Sequence, residues 1–279
     1  MYLTLNKKPV KPKMKTMKNL LILGLIAITA FSCSPTSSTG ETETEETAVE
    51  EVAAPIVLTK APASPEYPDA TLTKTDLAIE ETDSLYALNY SFDVANYELG
   101  VQTADAETRG IANSGKGQHI HYIVNNGPYA AHYMSEVPDQ LEAGNYVVLA
   151  FLSRSYHESV KSDGAYFIEN ITVGDAEPTE ADLTAPHLFY SRPKGTYKGA
   201  DTEKVMLDFY LLNETISPDG NKVRATINGQ EFSIDEWAPH YIEGLSVGEN
   251  TIKLELVDAS GNLIEGPFNS VERTIMIEE

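Results

Sequence analysis

Short runs of apolar and β-branched residues recur along most of the chain, and turn-forming Asn-Gly, Asp-Gly and Ser-Gly pairs separate them. No window of useful length places apolar residues at the i, i+3, i+4, i+7 spacing of an amphipathic helix. This pattern predicts an all-β chain. The predicted strands are 87–94, 119–124, 146–152, 166–173, 205–212, 223–227, 251–257 and 273–277.

A weak internal repeat divides the β-rich part of the chain. The segment Leu141–Leu149 parallels Leu245–Leu254, so the two copies are offset by about 100 residues, the size of one immunoglobulin-like sandwich. We therefore expect two tandem immunoglobulin-like β-sandwich domains, at 69–175 and 185–279, joined by a short polar linker.

The amino-terminal segment has the pattern of a signal peptide. Within residues 1–32 six lysines and no acids accompany an apolar run that is too short for the roughly 20 residues of a membrane-spanning helix. Small residues then precede the single cysteine of the chain, Cys33. The true start could be Met1, Met14 or Met17.

The stretch Leu20–Cys33 resembles the signal and lipobox of bacterial lipoproteins. This resemblance implies that the chain is cut before Cys33, that Cys33 carries the lipid, and that the membrane is a partner through this anchor. Ser34, rather than an aspartate, follows the cysteine, and in that family this implies passage to the outer membrane.

Residues 33–68 are rich in Ser, Thr, Glu, Ala and Pro and almost lack aromatic residues. Such a segment cannot bury enough apolar surface to offset its chain entropy, so it is expected to be a disordered acidic tether. Its acidic start resembles the surface-export signals of some Gram-negative lipoproteins, which implies exposure at the cell surface. The alternative is a solvated spacer with no such role.

Charge and cysteine content narrow the classes of partner. The chain has 42 acidic and 20 basic residues, for a net charge of −22. This charge repels nucleic acid and anionic lipid headgroups, so neither is an expected partner of the folded part. One cysteine excludes a disulfide framework and a cysteine-based zinc site.

Histidines are the strongest candidate for chemistry, because four of the six in the chain fall in the first expected domain. His119 and His121 lie two apart on a predicted strand, so both imidazoles leave the same face. With His132 or His157 they would suit a divalent metal, Cu or Zn. The alternative is a set of hydrogen-bonding histidines on a half-exposed sheet face.

A milder interpretation keeps the site without the metal. The side chains of Tyr122, Tyr133, Arg154 and Tyr156 would then join the histidines in a polar, aromatic pocket for a peptide or sugar. The segments 117–129 and 152–161 resemble bacterial lipoproteins labelled phosphopeptide-binding proteins, which implies a phosphopeptide ligand for the first domain.

The sequence does not favour an enzyme. Gly244–Gly248 matches the nucleophile-elbow pattern, but a predicted strand follows Ser246 where an elbow needs a helix. No general base is placed beside the histidines. We therefore expect a lipid-anchored cell-envelope binding lipoprotein, with a structural or adaptor lipoprotein for an envelope protein or peptide as the alternative.

Overall fold

The computed structural model describes residues 55–279. The fold class is all-β, as predicted, and only two short 3-10 helices, Ala106–Thr108 and Gly199–Thr202, interrupt the strands of this part. No helix within residues 55–279 is long and apolar enough to cross a membrane. The strands are β1 (Val57–Lys60), β2 (Thr71–Glu81), β3 (Tyr86–Ala95), β4 (His119–Val124), β5 (Ala130–His132), β6 (Glu136–Leu141), β7 (Gly144–Ser153), β8 (Tyr166–Val173), β9 (His187–Arg192), β10 (Thr196–Lys198), β11 (Val205–Leu212), β12 (Lys222–Ile227), β13 (Gln230–Ile234), β14 (His240–Glu243), β15 (Gly248–Val257) and β16 (Ser270–Glu278).

The first sandwich consists of strands β2 to β8. A sheet of order β2-β3-β6 faces a sheet of order β5-β4-β7-β8. Alternate residues of the facing strands fill the space between them, among them Tyr90 of β3, Ile120 of β4 and Ala150 of β7. This three-plus-four arrangement, with its crossings between sheets, is that of an immunoglobulin-like sandwich.

The second sandwich consists of β1 and strands β9 to β16. Its sheets have the orders β1-β14-β11-β9 and β10-β16-β15-β12-β13. The chain leaves the first of these sheets after β9 and enters the second as β10, which pairs in parallel with β16. The core between the sheets contains Leu207 and Phe209 of β11 and Leu254 of β15.

The corner that leads into β7 is repeated at β15. In the first sandwich the Tyr146 hydroxyl donates to the carbonyl of Glu142 at 3.0 Å, the hydrogen bond of a tyrosine corner. In the second sandwich the Asn250 side-chain amide donates to the carbonyl of Ser246 at 2.7 Å. Different side chains therefore fix the same turn in both copies of the repeat.

The tether expected over residues 33–68 is corrected at its carboxyl-terminal end, since residues 57–60 form β1. This strand pairs antiparallel with β14, and its neighbour Ile56 and its own Leu58 pack against the core of the second sandwich. Packing of these two apolar side chains and pairing with the free edge of β14 explain why residues 57–60 form a strand. The expected signal peptide, Cys33 and the rest of the tether lie outside the described residues.

After β1, residues 61–66 run across to the first sandwich, where two buried arginines hold them. The guanidinium of Arg109 donates to the carbonyls of Pro62 and Ala63 at 2.8 and 2.7 Å. That of Arg154 donates through Nε to the carbonyl of Pro65 at 3.2 Å. The segment before β2 therefore contacts both sandwiches: its first part pairs with the second sandwich, and its last part lies against the first.

The two sandwiches pack face to face, which makes a stack of four sheets. Side chains on the outer face of β4 and β7, such as Ile123 and Leu149, meet Phe189 of β9 and Tyr210 of β11 in one apolar cluster. The rings of Phe151 and Tyr210 stack across this interface at 4.8 Å. Strands β4, β7, β9 and β11 of the two middle sheets are thus buried on both faces over most of their length.

The side chain of Asn126 forms hydrogen bonds across this interface. Its backbone φ is +55°, and its amide nitrogen donates to the carbonyls of Leu188 and Phe268, each at 3.0 Å. Its amide oxygen accepts from the backbone N–H of Tyr190 at 2.8 Å. One buried side chain therefore satisfies three backbone groups of the second sandwich.

We predict that Asn126→Gly, which keeps the positive φ, lowers the free energy of unfolding by about 2–4 kcal/mol, because it leaves buried backbone groups without partners. Denaturant unfolding followed by tyrosine fluorescence measures this. The control is Asn96→Gly, since exposed Asn96 has a φ of +56° and a single side-chain hydrogen bond, to the carbonyl of Asp69. Equal losses in the two variants would contradict the role of Asn126.

Candidate metal centre

The first two histidines of the site lie side by side on β4, on the face that meets the second sandwich. Ile120 and Tyr122 point into the core of the first sandwich, so His119 and His121 point the other way, as the strand spacing predicts. Both are 0 % exposed. The expected half-exposed sheet face is therefore a buried one.

His157 is the third histidine, and it comes from the loop between β7 and β8. The backbone N–H of His157 donates to the carbonyl of Arg154, and that of Arg154 to the carbonyl of Glu158, both at 2.8 Å. His157 has a φ of +70°, a conformation that is uncommon outside glycine and is often found at functional sites. This tight turn aims the imidazole at the two histidines of β4.

Nitrogen atoms of the three imidazole rings lie close together. His119 Nε2 lies 3.0 Å from His157 Nδ1 and 3.0 Å from His121 Nε2. All three nitrogens lie within 4.8 Å of one another. Nitrogen ligands about 2.0–2.1 Å from a tetrahedral metal lie about 3.3 Å apart, so the two separations from His119 Nε2 are close to those of a coordination sphere.

The hydrogen-bond partners fix the protonation of one ring nitrogen. A neutral imidazole has one N–H and one bare nitrogen. His119 Nδ1 lies 2.9 Å from the carbonyl of Gly117 and must donate to it, so His119 Nε2 is bare. The Tyr129 hydroxyl accepts from Arg192 at 3.0 Å and lies 3.2 Å from His157 Nδ1, so it can donate its own proton to that nitrogen or accept one from it.

The bare nitrogen His119 Nε2 faces His157 Nδ1 at 3.0 Å. This distance fits a proton carried by His157 Nδ1, and it also fits a cation that both nitrogens coordinate. The third nitrogen is free to join, because His121 Nδ1 lies 3.1 Å from the hydroxyl of Ser191, which can accept a proton from it. The arrangement can bind a metal ion through three neutral imidazoles.

Tyr129 and the second sandwich complete the walls of the site. The ring of Tyr129 stacks on that of His121, with centroids 3.6 Å apart and an interplanar angle of 11°. Lys194 Nζ lies 3.9 Å from the centroid of the same ring, which places it on the opposite face. Lys194 and Arg192 thus both contact Tyr129, which in turn contacts the histidines.

All three imidazoles are held neutral. Burial lowers the pKa of His119 to about 4, and it lowers the pKa of His121 and of His157 well below the usual value. The positive charges of Arg192 and Lys194 act in the same direction. Neutral imidazole is the form that binds metals.

The fourth histidine of the expected metal set, His132, lies outside the group of three that converges. In the register of β4 and β5, His132 lies opposite Ile120, whereas Ala131 lies opposite His121. Opposed residues of an antiparallel pair share a face, so His132 points to the side of the core. Its ring lies near that of Tyr122, with centroids 5.9 Å apart.

Three of the four expected ligand-binding side chains have other contacts. Tyr122 is buried in the core of the first sandwich, and Tyr156 lies in a separate apolar cluster with Met206 and Tyr241. Buried Arg154 pairs with Glu158 at 3.0 Å and donates to backbone carbonyls. Only Tyr133 lies beside the site, with its ring 5.0 Å from that of His119.

The remaining side chains of the site could not be selected from the sequence. Ser191, Arg192 and Lys194 belong to the second sandwich, and only its packing on β4 brings them to the histidines. Tyr129 follows an Asn-Gly-Pro turn, and its stacking on His121 depends on the path of that turn.

The other two histidines, His187 and His240, each form a hydrogen bond with the carbonyl of a residue close by in the sequence.

No family model and no curated protein matches the chain. Among solved structures, the chain is similar to fibronectin(III)-like modules of Clostridium thermocellum CbhA, with a TM-score of 0.26, 12% identity, and coverage of 73% of this chain and 94% of that one. A central fibronectin-III array of RIM-binding protein has a TM-score of 0.23 and 10% identity, covering 77% and 72%. The Bacteroides ovatus mixed-linkage glucan protein SGBP-B, solved with a heptasaccharide, has a TM-score of 0.21 and 12% identity, covering 80% and 47%. Similarities this low carry no inference about a ligand.

The neutral histidines predict a loss of stability in acid. Their pKa is about 6.5 in the unfolded chain and is lowered in the folded one, to about 4 for His119. Below pH 6.5 the unfolded state therefore binds more protons, and the free energy of unfolding falls from about pH 6.5 down to about pH 4. Denaturant unfolding of chelator-treated protein across this range measures the slope.

The variant His157→Asn isolates the contribution of one imidazole, because asparagine tolerates the positive φ. We expect its slope to be smaller by up to about 1.4 kcal/mol per pH unit. The control His132→Gln removes a half-buried histidine outside the converging group, whose pKa burial also lowers. A slope in His157→Asn equal to that of the unmodified protein would contradict the account.

Proposed function

We propose that this protein is a lipid-anchored envelope lipoprotein whose first sandwich binds a transition metal ion, copper or zinc, through His119, His121 and His157. One observation carries the proposal: ring nitrogens of three histidines converge in a buried site, and His119 Nε2 among them carries no proton.

The supports of the three histidines also favour a metal. In metal sites the second ring nitrogen usually donates to a carbonyl or another oxygen, which fixes the ring. Here His119 is fixed by the carbonyl of Gly117 and His121 by the hydroxyl of Ser191. Two of the three side chains are therefore oriented before an ion arrives, which lowers the cost of reorganisation on binding.

A phosphopeptide ligand has less support than a metal. Phosphate recognition relies on arginine side chains with free donors. Arg154, the basic residue that the sequence offers for this purpose, is buried against Glu158 and the carbonyls of Pro65 and Ser159. We therefore propose a metal ion, and not a phosphopeptide, as the ligand.

The lipid anchor and the outer-membrane location belong to the same proposal. Their support is the apolar run before Cys33 and the acidic segment after it. At least two acyl chains are needed for a stable anchor, and an amino-terminal cysteine offers its thiol and its amino group.

Metal binding is tested with the purified full chain and one equivalent of Cu²⁺ or Zn²⁺. At a free ion concentration of about 100 times the dissociation constant, the free energy of unfolding should rise by about 2.7 kcal/mol. Metal analysis after gel filtration should give one ion per chain.

The stabilisation should disappear in His157→Asn and persist in His132→Gln, because only the first variant removes a converging nitrogen. Equal stabilisation of both variants would contradict the proposed site. The same result would follow if surface carboxylates of this acidic chain bound the ion.

The anchor is tested by Cys33→Ser in the producing bacterium. Because the thiol is the site of lipidation, the variant should move from the detergent phase to the aqueous phase on Triton X-114 partition. The unmodified protein should remain in the outer-membrane fraction. A Cys33→Ser protein that stays in the detergent phase would contradict the anchor.

A further inference from the structure

Two positive charges lie beside the three histidines. Lys194 stacks over Tyr129, and Arg192 donates a hydrogen bond to its hydroxyl. Tyr129 in turn contacts His121 and His157. Among the described residues, the group of converging metal ligands contains histidines alone, with no carboxylate or thiolate to offset the charge of an ion.

The repulsion between an ion and these two fixed cations is proportional to the charge of the ion. In a site where both β4 histidines are fully buried, solvent screens this repulsion poorly. A divalent ion therefore meets twice the repulsion that a monovalent ion meets, and it also loses more hydration on entering a dry interface.

Coordination number points in the same direction. Zinc sites are almost always four-coordinate, with a water or an anionic group beside three protein ligands. The Tyr129 hydroxyl lies 3.2 Å from His157 Nδ1, but Arg192 already donates a hydrogen bond to it, which makes it a poor fourth ligand. Cu⁺ binds stably to three ligands.

We infer that the centre formed by His119, His121 and His157 selects a monovalent ion and binds Cu⁺ in preference to Zn²⁺. The inference rests on the proposed function, because it names the ion that the same site takes. Arg192 and Lys194 are then the side chains that set the selectivity, although neither is a ligand.

The test measures the affinity of the full chain for Cu⁺, Ag⁺ and Zn²⁺. Cu⁺ is titrated anaerobically against a chromophoric chelator in the presence of ascorbate, and Ag⁺ serves as an air-stable monovalent probe. We expect one Cu⁺ or Ag⁺ per chain, bound at least about 100-fold more tightly than Zn²⁺.

The variant Lys194→Gln tests the electrostatic reason. Removal of one positive charge should raise the affinity for Zn²⁺ roughly tenfold more than the affinity for Ag⁺. The matched control is Lys198→Gln in the same sandwich, where Lys198 is 67% exposed and pairs with Glu278. This control should leave the ratio of the two affinities unchanged.

The possible failures are distinguishable. Tighter binding of Zn²⁺ than of Ag⁺, abolished by His157→Asn, would overturn the inference and leave the proposed metal site standing. An affinity ratio that Lys194→Gln does not change would also overturn it. Binding of every ion that persists in His157→Asn would overturn the proposed function itself.

Discussion

The burial of β4 between two sandwiches is the constraint on which the rest of the site depends. If the first sandwich stood alone, His119 and His121 would face water, and their ring nitrogens would bond to solvent. The second sandwich covers them with Ser191 and with the apolar contacts around Phe151 and Tyr210. The imidazoles must then find partners within the protein, and their converging nitrogens contact one another and, at His157, the hydroxyl of Tyr129.

This constraint explains why the two sandwiches act as one unit. The piece of chain before β2 supplies a strand to the second sandwich, and Arg109 then holds it against the first. Asn126 bonds to backbone groups on β9 and beside β16. The interface is therefore rigid where the histidines lie, which favours a preorganised site over one that forms as the ligand binds.

The sequence predicted much of this fold, because turn pairs and β-rich runs are local signals. Alternation on β4 correctly put His119 and His121 on one face. The run Val147–Leu152 lacks alternation because β7 is buried on both faces, and this was a readable sign of a second packing partner. The choice between His132 and His157 could not be made, since it depends on the register of β5 and on a positive φ in a distant loop.

The cationic neighbours of the site were also beyond prediction, because they come from the packing of the second sandwich. In the proposed metal site they set the selectivity among ions, and the site depends on the convergence of three particular nitrogens. The most direct test is the imidazole ¹⁵N spectrum of histidine-labelled protein before and after one equivalent of Cu⁺. The account predicts that three of the six histidines change, with metal-bound Nε2 in His119 and His121 and metal-bound Nδ1 in His157. Unchanged signals from these three, or metal-bound signals from His132, His187 or His240, would contradict it.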